Sequence, residues 1–143
     1  MPEVFTTTRR VEFCETDAAG IAHFSSFLCY MEQAEHQFLR SLGTSVILPL
    51  GDGWHLSWPR VHVSCDYRGS AKFEDELAIS LRVIKQGTKS VSYGFEFRKA
   101  EQVIATGNVV AVCCRVKAGE PLQSEAIPAE LALRMTAFLQ PAE

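Results

Sequence analysis

The chain has 143 residues, 47% of them hydrophobic and 22% charged, with a formal net charge of −3. That length suffices for one domain with a sizeable core, and residues 1–143 read as a single domain. The acidic balance excludes the broad basic face of a nucleic-acid binder, and no apolar run is long enough to span a membrane.

The first ten residues lack the apolar core of a signal peptide, so the cytoplasm is the expected location. Arg9-Arg10-Val11-Glu12-Phe13 alternates polar and apolar residues and predicts a strand. Next comes the most telling stretch, Cys14 to Phe27, a short glycine-punctuated loop that carries Asp17 and Gly20. It leads into a helix predicted over Phe24 to Leu42, where Phe24, Phe27, Leu28, Met31, Ala34, Phe38, Leu39 and Leu42 recur at three- and four-residue spacing. Ser25 and Ser26 favour its start, and Gly43 its stop. A helix start exposes unpaired N–H groups and a partial positive charge, so a carboxylate held nearby is half of a site for chemistry that builds negative charge on oxygen. The plainer role for Asp17 is to shape the turn or cap the helix.

Thr44 to Pro59 reads as a long irregular connection carrying Trp54 and Trp58. Four alternating segments follow: Arg60–Tyr67, Leu77–Val83, Val91–Phe97 and the longer Val103–Val116. In the first, Val61, Val63, Cys65 and Tyr67 share a face; in the third, Val91, Tyr93, Phe95 and Phe97 do. Such alternation marks half-buried antiparallel strands. Gln86-Gly87-Thr88-Lys89 and Lys99-Ala100-Glu101-Gln102 read as hairpin turns, and Pro128 to Leu139 as a short helix that begins at its proline. The order of elements predicts an α+β fold in which a curved antiparallel sheet of about five strands wraps around one long central helix.

The five cysteines have no metal-ligand spacing and lie in apolar-patterned segments, so they read as reduced, buried thiols. Glu35 falls inside the apolar stripe of the helix, where a carboxylate needs a partner such as Arg60 or His62. Glu32 and His36, four residues apart, read as a side-chain pair rather than a metal site, since no third ligand accompanies them. His55 and His62 belong to no motif. Arg82, Lys85, Lys89 and Arg98 read as a basic cluster around one hairpin.

The run Phe13-x-x-Thr16-Asp17-Ala18-Ala19-Gly20-Ile21, with His23-Phe24, Tyr30, Glu32, Pro59, the block Asp66 to Leu77 and Gly87-Thr88-Lys89-Ser90, resembles the hot-dog fold acyl-CoA thioesterases. Within them it looks most like the 4-hydroxybenzoyl-CoA thioesterase group, over roughly Val11 to Val116. The resemblance implies that Asp17 is the catalytic general base or nucleophile, and that the Phe24 amide stabilises the oxyanion with His23 or Gly20 assisting. It makes Lys89 and its neighbour Ser90 contacts for coenzyme A, and implies a homodimer or homotetramer with its site at a subunit boundary. Many relatives carry Tyr or Phe where this chain has His23, which raises the alternative of a His23–Asp17 dyad. Phe27, Trp54 and Trp58 are candidates to shape the acyl pocket. Hydrolysis of an aryl- or short-chain acyl-CoA would need neither metal nor cofactor, coenzyme A being part of the substrate. The alternatives are a non-catalytic acyl-CoA- or acyl-carrier-binding protein and a dehydratase or hydratase of the same fold.

Overall fold

The computed structural model describes residues 1–141. From the N-terminus the chain runs through β1 (Phe5–Arg10), one 3-10 turn (Phe13–Glu15), α1 (Ser26–Ser41), β2 (Leu48–Gly51) and β3 (Trp54–Ser57). Four longer strands follow: β4 (Arg60–Tyr67), β5 (Glu76–Gln86), β6 (Ser90–Lys99) and β7 (Gln102–Val112). The short β8 (Cys114–Val116) and β9 (Gln123–Ser124) precede α2 (Ala129–Thr136).

The main sheet has five strands in the order β1-β5-β6-β7-β4, each pair antiparallel. Period-two patterning places Leu77, Ile79, Leu81 and Val83 of β5 with Val91, Tyr93, Phe95 and Phe97 of β6 in the core. The apolar stripe of α1, with Phe27, Tyr30, Met31, Ala34, Phe38 and Leu39, packs into the same cluster. Gly107 on β7 permits this close approach, because a Cβ there would stand 2.4 Å from Met31 Sδ.

α1 covers sixteen residues, fewer than the Phe24–Leu42 span predicted. Its start is displaced by a competing hydrogen bond. The Phe24 carbonyl accepts from the Tyr67 hydroxyl at 2.7 Å instead of opening the helical ladder, and Leu28 N–H donates to Ser25 O. At the other end Gly43 takes φ +83° and Thr44 N–H donates back to Leu39 O, a left-handed stop that glycine adopts without strain. Arg134 of α2 donates from Nη1 to Leu42 O at 2.5 Å and so caps that terminus.

Three further expectations need correction. β1 begins at Phe5 and stops at Arg10, since Val11 N–H donates to Asp75 O and the chain then turns. The segment read as an irregular connection contains the β2–β3 hairpin, which joins β8 and β9 in a second sheet ordered β2-β3-β8-β9. Asp52 and Gly53 at φ 53° and 81° make its tight turn, the left-handed pair that two-residue hairpins require. Cys113 and Cys114 are buried, but Cys14 and Cys29 are exposed because their segments turn outward at the loop and on the outer flank of α1.

Candidate active site

The Asp17 loop is a miniature hairpin. Thr16 and Ala22 bridge it, Asp17 N–H donates to Ile21 O at 2.9 Å, and Gly20 N–H donates to Asp17 O at 2.9 Å. Gly20 sits at φ +80° with open space around its α-carbon, the position that makes the reversal possible. Asp17 is half-buried; its Oδ1 accepts from Ala19 N–H at 2.9 Å, while Oδ2 accepts from none of the described residues.

Glu15 holds this loop to the helix start. Its backbone carbonyl accepts from His23 N–H at 2.8 Å and from Ser26 Oγ at 2.9 Å. Its carboxylate accepts from Glu12 N–H, from the Tyr30 hydroxyl at 2.9 Å and from Arg9, whose guanidinium also lies over the Tyr30 ring. Burial, reinforced by Glu15, pushes the Tyr30 hydroxyl well above its ordinary range, so it remains a donor. Sequence reading missed Glu15, Arg9 and Tyr67 as parts of this framework. Only their closeness to Asp17 or their place in the Asp66–Leu77 block could have signalled them.

The amides around the helix start are unequal. Those of Gly20 and His23 are already donating to Asp17 O and Glu15 O. The Phe24 amide meets no acceptor among the described residues, and its ring is exposed and stacked on His23 at 4.4 Å. His23 Nδ1 lies 2.7 Å from Ser25 Oγ and 3.2 Å from the Ser25 N–H that donates to it. No hydrogen bond joins His23 to Asp17.

A crevice of about 310 Å³ opens beside the first turns of α1, lined by Leu28, Cys29, Glu32, Glu35, Arg60, Val63 and Val109. Asp17 does not line it within one chain. Glu35 is fully buried and accepts from Arg60 Nη2 at 2.6 Å through Oε1; Arg60 also donates to Trp58 O. Burial pushes the Glu35 carboxyl up to about 7, with Arg60 pulling the other way.

A thioesterase-like superfamily model matches residues 11–135. The chain belongs to that superfamily. A 1,4-dihydroxy-2-naphthoyl-CoA hydrolase of Synechococcus sp. (strain CC9605) is 31% identical over 104 residues, 70% of each protein. The solved 1,4-dihydroxy-2-naphthoyl-CoA thioesterase from Synechocystis superposes with a TM-score of 0.80 at 26% identity, covering 94% of this chain and 96% of that one. A gentisyl-coenzyme A thioesterase gives 0.78 at 27% identity, covering 92% and 99%. Membership makes this chain a thioester hydrolase of the hot-dog type, here with a five-stranded main sheet, a smaller second sheet and two helices.

The remaining predicted site residues of this thioesterase make no hydrogen bond to Asp17. Phe27 is buried, edge-on to Tyr30, Tyr67 and Phe97. Trp58 is fully buried, and Trp54 stands on the second sheet beneath Arg115 and Lys117. Lys89 and Ser90 occupy the β5–β6 hairpin, where Lys89 Nζ donates to Ser124 Oγ at 3.4 Å. That hairpin is at the Gln86 end of β5, whereas the Asp17 loop is at the Glu76 end, where Tyr67 reaches Phe24. Eleven strand residues separate the two ends by roughly 30 Å. The basic cluster is divided in the same way: Arg98 pairs with Ala78 near the Asp17 end and bonds Glu96.

Proposed function

We propose that the protein hydrolyses an aryl- or short-chain acyl-CoA thioester to the free acid and coenzyme A, with Asp17 as general base or nucleophile. The observation that carries this reading is one loop holding both a carboxylate with a free oxygen, Asp17 Oδ2, and an amide with no acceptor, that of Phe24. A thioester carbonyl is already electrophilic, so it needs a positioned water and a stabilised oxyanion more than a powerful nucleophile. General-base assistance supplies about 10²–10⁴ in rate and one preorganised oxyanion donor about 10²–10³. The Glu15 hub keeps both groups from rearranging as charge develops. Since the Gly20 and His23 amides already have acceptors, the oxyanion falls to Phe24 alone in this reading. The aryl preference is supported by the relatives, which are naphthoyl-CoA and gentisyl-CoA thioesterases.

The working form in this reading is a homodimer, doubled to a homotetramer as the family pattern implies. β4 ends the main sheet, pairs only with β7 and exposes Val61, Val63 and Tyr67. Pairing two copies antiparallel along β4 would extend the sheet and set one copy's Asp17 end beside the other's hairpin end. Lys89 and Ser90 could then serve a coenzyme A bound near the opposite Asp17, which one chain alone does not permit. The five free thiols suit a reducing cytoplasm.

Thiol release from a panel of acyl-CoAs tests the reading, with Asp17→Asn as control. Release at the wild-type rate in Asp17→Asn would remove Asp17 from the mechanism. A single turnover in ¹⁸O water, followed by trapping, separates the two chemistries. An unlabelled first acid with the label in Asp17 shows a nucleophilic Asp17 whose anhydride takes water at the Asp17 carbonyl, whereas label in the first acid places the water on the acyl carbon, and trapping of an acyl-Asp17 anhydride then tells a nucleophile from a general base.

A further inference from the structure

The two peptide planes that meet at Phe24 are pinned separately. Its carbonyl accepts from the Tyr67 hydroxyl at 2.7 Å, across 43 positions of sequence. In a regular helix that carbonyl would accept from Leu28 N–H, four residues on. Leu28 N–H donates to Ser25 O at 3.1 Å instead. The other plane, which carries the Phe24 amide, is fixed through the His23 carbonyl, the acceptor of Ser26 N–H at 2.9 Å. A trans peptide sets its N–H and C=O on opposite edges, so that bond turns the Phe24 amide away from Ser26.

Tyr67 is itself firmly held. It ends β4, where it pairs with Ala105 of β7, and the next two amides, those of Arg68 and Gly69, donate to Ile104 O at 2.8 and 3.0 Å. Its ring stands edge-on to the buried Phe27 at 5.3 Å. Burial, with Cys65 beside it, pushes the hydroxyl up to about 12, so it stays a donor at neutral pH. Without that hydroxyl, Leu28 N–H would be free to take the Phe24 carbonyl in helical register. The helix would then gain a residue at its start. Only φ and ψ separate the Phe24 amide from the Phe24 carbonyl, so turning one plane disturbs the other.

We propose that Tyr67 is a positioning residue for hydrolysis: by holding the Phe24 carbonyl out of α1, it keeps the Phe24 amide unpaired and aimed at the oxyanion. The inference rests on the hydrolase reading above and adds the side chain that sets its oxyanion donor. Tyr67 acts through one backbone unit. Direction is what it controls, and a hydrogen bond weakens steeply as its donor swings off axis. A donor aimed in advance at the developing charge lowers the barrier without tightening the ground state.

The test measures kcat and KM of the wild type and Tyr67→Phe on benzoyl-CoA and on dithiobenzoyl-CoA, in which sulfur replaces the carbonyl oxygen. On benzoyl-CoA we expect kcat to fall about 5- to 10-fold in the variant, with KM changed by less than about twofold. Sulfur is a weak acceptor, so the same comparison on dithiobenzoyl-CoA should give a kcat ratio near one. A folded variant with unchanged kcat on benzoyl-CoA overturns the inference, and so does an equal loss on both esters, which marks a merely structural role. Inactivity of the wild type on every acyl-CoA tried would count against the hydrolase reading instead. Couplings across hydrogen bonds in NMR spectra decide the positioning by itself. Leu28 N should couple to Ser25 C′ in the wild type and to Phe24 C′ in Tyr67→Phe, and an unchanged pattern in the folded variant overturns the inference. If the variant does not fold, the wild type still answers: coupling of Leu28 N to Ser25 C′ with a freely exchanging Phe24 amide upholds it, and coupling to Phe24 C′ overturns it.

Discussion

β4 and β6 carry the same alternating pattern and meet opposite fates. On β6, Val91, Tyr93, Phe95 and Phe97 are at most 4% exposed, held beneath α1. On β4, Val61, Val63 and Tyr67 are 65%, 43% and 43% exposed. Position in the sheet makes the difference: β6 is central, while β4 is an edge that pairs only with β7 and leaves Val61 and Val63 partly open, although Tyr67 reaches Phe24 and Phe27. Alternation therefore announces that a face will be covered without saying by what. Exposed apolar groups on a strand with an open hydrogen-bonding edge are what the proposed dimer would cover, since natural proteins otherwise blunt such edges.

Substitutions on the two strands should separate these fates. Phe97→Ala on β6 should cost about 3–5 kcal/mol of folding free energy, read by denaturant unfolding, through the cavity it opens beside Phe27. Glu35, between Tyr93 of β6 and Arg60 of β4, should contribute a pH-dependent term of a few kcal/mol. Burial raises its carboxyl from an ordinary 4.5 to about 7, so the folded chain holds a proton that the unfolded chain has released. Stability from this group is thus greatest below about 4.5, falls as pH rises, and reaches its floor above about 7. Melting temperatures of Glu35→Gln should lack that slope. Tyr67→Phe, which deletes the bond to Phe24 O, should cost about 1 kcal/mol and slow turnover severalfold in the thiol-release assay. Smallest in folding terms is Val61→Lys with Val63→Lys. The dissociated chain should change by no more than about 0.5 kcal/mol, while size-exclusion chromatography with light scattering shifts from dimer to monomer. Unfolding by that pair would mean instead that the β4 face is covered within one chain.

Strong local signals were legible in advance. β4 was predicted at its observed bounds because its alternation is strict, and the Asp17 loop because glycine and a following apolar stripe bracket it. The β2–β3 hairpin escaped notice although Gly51-Asp52-Gly53 is a turn signal, since its strands of four residues are too short to show a period. The start of α1 was misplaced because the competing donor, Tyr67, is 43 residues away. Glu15 shows the same limit from the side of chemistry. A loop carboxylate that organises Arg9, Tyr30 and the Glu12 amide looks, in one dimension, like any solvated charge.

The clamp between Arg134 and the last carbonyl of α1 joins residues 92 positions apart. A side chain on Gly43 would collide with that guanidinium, its Cβ falling 2.9 Å from Nη1. During synthesis α1 leaves the ribosome long before Arg134 does, so the last carbonyls of the helix wait on solvent until α2 has emerged. Arrival of α2, rather than formation of the earlier segments, is then what locks the two helices together, and a chain truncated before α2 would leave that terminus frayed.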